Sequence, residues 1–229
     1  MSIYIIGTLV NAAAVLIGGS FGLLLKGKIP GQLAENIPRA IGLCVCIIGI
    51  SDAIKGDLML LVVSLTLGAL AGELLGIEEG LNKLGKRLQK TLSRQDEESL
   101  FAEGFVTATL LFCVGAMSII GSIESGLGND RSMIYTKSIL DGVSAMVFAS
   151  YLGFGVLFSA AVILIYQGSI EFLAGYLQHL PSGLVTQFSA AGGVMILGIG
   201  FNMVLNAKIK VANLLPGLLF ATGYYFLVL

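Results

Sequence analysis

The chain has no tryptophan, a single histidine, three cysteines and few charged residues. Only 12% of its 229 residues are charged, whereas a soluble domain usually carries about 25%. Because 56% of the residues are apolar, this scarcity excludes a soluble globular domain and predicts an integral membrane protein. Without tryptophan, no Trp belt marks the membrane interfaces.

The same scarcities restrict the chemistry. His179 stands alone and the cysteines lie inside apolar runs, which provides neither a zinc site nor a Cys/His nucleophile. The motifs GxSxG, GxxxxGK[ST] and HExxH are absent. We therefore expect no enzymatic activity, no cofactor, no metal centre and no nucleic-acid partner.

Long apolar runs predict an all-α, polytopic transmembrane helix bundle in one domain, residues 1–229. The predicted segments are 3–25, 39–54, 58–77, 104–123, 136–151, 153–177, 184–206 and 211–228. The second and fifth segments are shorter than the roughly 20 residues that a helix needs to cross a bilayer. A thinned membrane, a buried position and a broken or re-entrant helix are the alternatives.

Basic residues orient these eight segments. Ten of the 13 Lys and Arg residues form three groups: Lys26, Lys28 and Arg39; Lys83, Lys86, Arg87, Lys90 and Arg94; Lys208 and Lys210. Eight segments place all three groups on one side, which the positive-inside rule makes cytoplasmic. Both termini are then expected to be extracytoplasmic.

The stretch 78–103 between the third and fourth segments is the one sizeable polar element. Leucines recur at helical spacing at 81, 84, 88 and 92, with basic residues between them. This pattern predicts an amphipathic helix on the cytoplasmic membrane surface, attracted by anionic lipid. A site for a regulatory partner is the alternative.

A weak internal repeat relates the third and fifth segments at an offset of 74 residues. The matches are Met59 with Met133, Ser64 with Ser138 and Gly68 with Gly142. Small residues also recur by chance in glycine-rich membrane chains, so both origins stay open. The glycines, such as the Gly18/Gly22 pair, offer close-packing faces within the bundle or between protomers. With the small size of the chain they favour a homo-oligomer, and a dimer in particular.

Asp141 is the most informative polar residue, because a charge inside hydrocarbon costs about 2.5–3.5 kcal/mol on insertion scales. Lys137 and Ser138 share its helical neighbourhood in KSILDGVSAMVFAS. One reading is a proton- or cation-handling carboxylate that faces an aqueous cavity. The other is a Lys137–Asp141 ion pair near the outer interface.

Further polar residues inside the segments extend this candidate site. The full set of candidate substrate- or ion-binding residues is Asn11, Lys137, Ser138, Asp141, Gln167, Asn202 and Asn213. Taken singly, each Asn or Gln is explained by interhelical hydrogen bonds, but together they could line a polar path or an ion site. Pro216 and the LGFG stretch at 152–155 are places where a helix could break and expose its backbone.

Four stretches together resemble a known family. They are GTLVNAAAVLIGG, EGFVTATLLFCVGAMSIIGSI, KSILDGVSAMVFAS and VANLLPGLL. Over essentially the whole chain they are similar to the YqgA/YdfK type of bacterial multi-pass membrane protein, a family without a settled activity. The resemblance implies a bacterial inner-membrane location and a domain of unknown function.

Three functional hypotheses follow. The first is a small secondary transporter or ion-translocating protein that uses the intramembrane Asp and Asn residues. The second is a non-transporting scaffold or sensor that engages a cytoplasmic partner through 78–103, and the third is a lipid-handling protein. The sequence favours the first.

Overall fold

The computed structural model describes residues 5–26, 31–91 and 100–228. In these ranges the chain forms only helices, which confirms the predicted all-α bundle. The α-helices are α1 Ile6–Leu25, α2 Gly31–Ala53, α3 Leu58–Leu75, α4 Ile77–Thr91, α5 Leu100–Cys113, α6 Ala116–Gly126, α7 Ser132–Leu152, α8 Gly155–Phe172, α9 Ala174–Leu177, α10 Ser182–Leu205 and α11 Pro216–Val228, with a 3-10 helix at Val211–Leu214. Lys28, and Arg94 with the rest of 92–99 in the polar stretch, lie outside the described residues.

Helix lengths differ from the sequence prediction at several places. The second and fifth segments are not short, because α2 has 23 residues and α7 has 21. The fourth segment is not continuous, since α5 and α6 meet at a 58° bend. Gly115 there has φ −65° and ψ 149°, an extended conformation that interrupts the helical hydrogen-bond ladder. The predicted sixth segment is likewise divided, into α8 and the short α9.

The number of membrane crossings is a separate question from the number of helices. In the part of the chain that the structure describes, four helices are both long and apolar enough to cross a bilayer: α1, α3, α8 and α10. A fifth crossing results if the bent α5–α6 pair is one broken span. The eight crossings indicated by the sequence therefore stay a prediction.

Local chemistry fixes several helix ends. The Asp57 side chain accepts a hydrogen bond from the Leu60 N–H (2.8 Å) and caps the start of α3. Gly76 ends α3 in the left-handed conformation, with φ 62°. Gly153 ends α7 with φ 79° and ψ −150°, a combination that essentially only glycine adopts. Pro216 opens α11, where a missing N–H has no consequence for the helix.

The chain divides into two compact units. The first contains α1 and α5–α9. Gly18 of α1 faces Gly142 of α7, and four residues later Gly22 faces Met146. The residue numbers increase in the same direction on both helices, so α1 and α7 run parallel. A Cβ on either glycine would collide with the facing backbone carbonyl, so this close approach requires glycine.

The second unit contains α2, α3, most of α4, α10 and α11. Here α2 packs antiparallel against α10, where Gly49 meets Gly193, and α3 packs antiparallel against α11, where Gly68 meets Gly217. The predicted glycine faces thus serve packing within each unit. The proposed repeat aligns α3 with α7. However, α3 packs against an antiparallel helix and α7 against a parallel one, so the packing does not support the repeat, which stays a prediction.

Apolar side chains also cover the outside of the helices. On α1 the residues Leu16, Ile17, Phe21 and Leu24 are exposed. A soluble protein rarely exposes so continuous an apolar stripe, whereas a transmembrane helix presents one to lipid.

Candidate functional site

Lys137 and Asp141 form a buried ion pair on α7, in the first unit. They are one helical turn apart, and the two residues are 5% and 6% exposed. Asp141 is nine residues from the start of α7, which corresponds to roughly 14 Å along the helix axis. Both residues are thus inside the helix bundle rather than at the end of α7, so they satisfy each other in a region where either charge alone would be costly.

Asn11 of α1 connects this pair to α8. Its side-chain nitrogen donates to Asp141 Oδ2 at 2.9 Å and to Gln167 Oε1 at 3.0 Å. Asn11 and Gln167 are both completely buried. One amide therefore joins three helices, which a single residue can do because its NH₂ group carries two donors.

Gln167 extends the connection to the broken helix. Its side-chain nitrogen donates to Ser118 Oγ at 2.8 Å. Ser118 is the third residue of α6, so it lies just beyond the interruption between α5 and α6. We call the connected set Lys137, Asp141, Asn11, Gln167 and Ser118 the polar chain. It runs through four helices of the first unit.

A second buried acid, Glu171, lies one turn beyond Gln167 on α8. It is 1% exposed, and both of its carboxylate oxygens accept from the backbone N–H of Thr8 at 3.3 Å. Thr8 is in the first turn of α1, where N–H groups have no intrahelical acceptor. The carboxylate therefore caps the positive end of α1 from a neighbouring helix.

Four oxygens in this region lack a hydrogen-bond partner among the described residues. They are Thr8 Oγ1, Asn11 Oδ1, Ser122 Oγ and Ser125 Oγ, all on residues no more than 1% exposed. Unsatisfied buried polar atoms are rare in folded proteins, and each cluster of them calls for a specific explanation. This part of the first unit thus has hydrogen-bonding capacity that its own described residues do not fill.

The polar chain lies in one half of the first unit. Toward the C-terminal end of α1 the core is mainly apolar, with Val15, Ala145, Phe148, Leu152 and Ile163 at most 2% exposed. The buried Ser159 in that half satisfies its hydroxyl locally, on the Val156 carbonyl at 2.7 Å. Since α1 and α7 run parallel and α8 runs antiparallel to them, the same end of the unit is polar on all three helices. The polar chain therefore ends against a mainly apolar half of the unit.

The other sequence-predicted residues have different surroundings. Ser138 is buried on α7, but its hydroxyl donates to the Ile134 carbonyl of the same helix at 2.7 Å. Asn202 belongs to the second unit, where it donates to the Ile209 carbonyl and accepts the Ile209 N–H, at 2.8 and 2.7 Å. It thereby closes the turn after α10, in which Asn206 and Lys208 have positive φ.

Asn213, also in the second unit, holds the start of α4. Its side chain accepts the Glu78 N–H at 2.8 Å and donates to Glu73 Oε2 at 2.5 Å. Lys210 donates to Glu73 Oε1 at 2.6 Å, and this hydrogen bond to the carboxylate raises the pKa of Lys210 above its usual value. Asn202 and Asn213 thus have defined backbone and side-chain partners that explain their presence.

Three residues of this site, Thr8, Ser118 and Glu171, were not predicted from the sequence. The i, i+4 spacing of Gln167 and Glu171, and the serines at 118, 122 and 125 on one face of α6, were signals available in the sequence. Thr8 contributes its backbone N–H, which no side-chain pattern reveals. Within the described residues, no three His, Cys, Asp or Glu side chains come together as a metal-binding group.

Fold and polar core together define a polytopic α-helical membrane protein whose hydrogen-bonded charges are buried between helices. A family of proteins of unknown function, DUF554, matches residues 6–226, and the chain belongs to that family. Similar proteins are the uncharacterized membrane protein YdfK of Bacillus subtilis (33% identical, covering 97% of this chain and 96% of YdfK) and the uncharacterized protein YqgA of Escherichia coli (32% identical, covering 95% of this chain and 94% of YqgA). No solved structure matches the chain significantly.

Proposed function

We propose that this membrane protein is a small carrier that moves an ion or small solute through the first unit, with Asp141 as the group that takes up and releases a proton. The observation that carries the proposal is the polar chain, a continuous set of hydrogen bonds from Lys137 to Ser118 inside the bundle. Its members come from α1, α6, α7 and α8, so its hydrogen bonds link all four helices.

A purely structural role explains the polar chain poorly. Replacing a buried ion pair by apolar residues of similar volume is often neutral or stabilising, so such a pair adds little to stability by itself. Ionisable groups inside membrane bundles instead mark ion and substrate pathways. A chain of five connected groups with further unpartnered polar oxygens beside it fits a binding centre better than a packing contact.

The geometry provides a mechanism. Protonation of Asp141 removes its negative charge, and its ion pair with Lys137 is lost. The ammonium of Lys137 is then free to bind an anionic or polar solute, and Asn11 can reorient between Asp141 and Gln167. Proton release restores the ion pair and expels the solute.

The bend between α5 and α6 supports the same proposal. Interrupted helices expose main-chain groups, and carriers commonly place their sites beside such breaks. Here the break at 114–115 is three residues from Ser118, the last member of the polar chain. Movement of α6 about this bend would open or close the polar half, because α6 packs beside Gln167 and Glu171.

The proposal includes a location and an orientation. We place the protein in the bacterial cytoplasmic membrane, with the basic loops and α4 inside and both termini outside, as a non-enzymatic homodimer. The parallel arrangement of α1 and α7, and the antiparallel arrangement of α8, agree with the directions of the first, fifth and sixth predicted segments. In this orientation the polar half of the first unit lies toward the outer side of the membrane.

Reconstitution tests the proposal. Purified protein in proteoliposomes with an internal pH dye is exposed to a panel of inorganic ions, organic anions and amines, with and without a pH gradient. We expect solute-dependent proton movement that falls at least about tenfold in Asp141→Asn, because the proton-binding group is removed. Asp52→Asn is the matched control, since Asp52 forms an exposed ion pair with Lys55 at 2.7 Å.

Two results would contradict the proposal. One is the absence of any flux across the panel with correctly folded protein, and the other is flux that Asp141→Asn leaves unchanged. Because Asp141→Asn can unfold the bundle, Asn11→Ala and Gln167→Ala are tested beside it, and only variants that elute as the wild-type species enter the assay.

A further inference from the structure

Glu171 is a buried carboxylate without a cationic side chain. Among the described residues no Lys, Arg or His lies within ion-pair distance of it, and it is 1% exposed. By contrast, Asp141 has both Lys137 and Asn11 as partners. An ionised carboxylate this deep in a membrane bundle needs a compensating positive group.

The protein supplies only part of that compensation. One N–H, that of Thr8, is shared between the two carboxylate oxygens at 3.3 Å, which is long for a charge-assisted hydrogen bond. A carboxylate offers about four acceptor positions, so most of those on Glu171 stay available.

Two hydroxyls without a hydrogen-bond partner among the described residues belong to residues beside this carboxylate. Thr8 Oγ1 belongs to the residue whose N–H caps Glu171, and Ser125 Oγ lies on α6 close by. A Cβ placed on Gly7 would stand 2.5 Å from Glu171 Oε1 and 2.7 Å from Ser125 Oγ, so both oxygens converge on the same small space beside α1. Thr8 and Ser125 are 1% and 0% exposed, and neither hydroxyl has a partner among the described residues.

The main chain adds oxygens of the same kind. Gly126 ends α6 directly against the backbone of Glu171, near the end of α8, so the C-terminal turns of two helices meet here. The carbonyls here carry the negative end of two helix dipoles, although those of Ile123, Ser125 and Ser169 also accept backbone N–H groups of the following turn. Carboxylate, hydroxyl and carbonyl oxygens are the ligands that hard cations prefer.

We infer that Glu171, Thr8 and Ser125 form a binding site for a dehydrated monovalent cation of the size of sodium, separate from the Asp141 centre. One carboxylate balances one positive charge, and the described residues do not bring three His, Cys, Asp or Glu side chains together here, which argues against a divalent ion. The close approach of α1, α6 and α8 at Gly7 and Gly126 favours a small ion over a large one.

Cation-dependent stability of the detergent-solubilised full chain tests this inference. Thermal unfolding is recorded at pH 8 while NaCl replaces choline chloride at constant ionic strength, with LiCl and KCl titrated in parallel. Because a ligand that binds only the folded state raises its stability, we expect Tm to rise saturably with sodium and less with potassium.

The variants separate cation binding from helix capping. Thr8→Val keeps the N–H that caps Glu171 but removes the hydroxyl, and Ser125→Ala removes the second hydroxyl. We expect each to weaken sodium affinity by about tenfold or more, and Glu171→Gln to abolish the sodium effect. Glu124→Gln is the matched control on α6, because Glu124 accepts from the exposed Asn129 at 3.1 Å.

Three results would overturn the inference. These are no saturable effect of sodium, an equal effect of all the salts, and a sodium effect that survives in Glu171→Gln or in both hydroxyl variants. If stability instead follows pH alone, the carboxylate binds a proton and the sodium site is wrong. Since binding is measured without flux, this result is independent of whether the protein transports.

Discussion

Asn11 Nδ2 donates a hydrogen bond to Asp141 Oδ2 at 2.9 Å, although 130 residues separate the two in the chain. The contact exists because α1 and α7 run parallel at a glycine-lined interface that lets their backbones approach closely. This contact places the neutral amide of Asn11 beside a buried carboxylate that also forms an ion pair with Lys137. Asp141 is therefore held by side chains of two helices, Asn11 of α1 and Lys137 of α7. A change in its charge would alter its contacts with both.

The first prediction concerns the ion pair itself. Lys137→Met leaves Asp141 buried without its counter-charge, and we expect a loss of about 3–5 kcal/mol in unfolding free energy. The double variant Lys137→Met/Asp141→Leu should recover most of this loss, because no buried charge remains. Equilibrium unfolding in mixed micelles measures both.

The exposed pair Lys55–Asp52 provides the control for this experiment. It has the same ion types at i, i+3 spacing and a 2.7 Å separation, but the Lys55 side chain is 56% exposed. Lys55→Met should change stability by no more than about 1 kcal/mol. Equal losses for Lys137→Met and Lys55→Met would refute the view that burial makes the first pair special.

Part of this arrangement was predictable from sequence. Lys137 and Asp141 are one turn apart, and a helix places such residues on one face whatever the tertiary structure is. The membrane class followed from composition, because the hydrophobic content of the chain is far above that of soluble domains. Both inferences rest on local or averaged properties.

Long-range partners were not predictable in the same way. The pairing of Asn11 with Gln167 depends on which faces of α1 and α8 meet, and helical periodicity alone does not specify that. The α5–α6 break was missed because the local sequence, FCVGAM, is apolar and gives no turn signal beyond one glycine. Asn202 and Asn213 carried the same polar signal as Asn11, yet each has a partner at a helix end.

The second prediction concerns coupling within the polar chain. Asn11→Ala removes two interhelical hydrogen bonds, each worth about 0.6–2 kcal/mol in a membrane bundle. Gln167→Ala removes one of the same two and the bond to Ser118. Because the two residues share one hydrogen bond, the two single variants should lose more unfolding free energy in sum than the double variant loses. We expect the difference to be about 0.5–2 kcal/mol.

A double-mutant cycle in mixed micelles measures this coupling. Asn129→Ala serves as the control, since Asn129 donates to Glu124 on an exposed surface and should add independently to Asn11→Ala. Strict additivity of Asn11→Ala and Gln167→Ala would mean that the amides act separately and that the polar chain is not a connected unit.

The third prediction concerns the α1–α7 interface. A methyl group on Gly18 would overlap the carbonyl of Gly142, so Gly18→Ala must push the helices apart. Separation would lengthen the Asn11–Asp141 contact as well as reduce packing. We expect lower thermal stability and lower flux together, with a loss of about 1–3 kcal/mol for overpacking.

Gly223→Ala provides the comparison for Gly18→Ala. Gly223 is also helical, but no atom lies within 4 Å of the position that its Cβ would take. There the change should be neutral or stabilising by up to about 1 kcal/mol, because alanine is the better helix former. If both substitutions have the same effect, close packing at Gly18 is not what positions Asn11.

The last prediction concerns the attachment of α4 to the second unit. Asn213→Ala removes the acceptor of the Glu78 N–H and the donor to Glu73. The Glu78 carboxylate still accepts from the Ala212 N–H at 3.1 Å, so the first turn of α4 should loosen without detaching. Hydrogen exchange at the Glu78 amide should accelerate by about fivefold, which corresponds to the loss of one hydrogen bond of about 1 kcal/mol.

Glu79→Gln, which removes only an exposed 3.9 Å ion pair with Lys83, should leave that rate unchanged. Unaltered exchange in Asn213→Ala would show that Asn213 does not hold α4, and would return it to the set of residues available for a binding role.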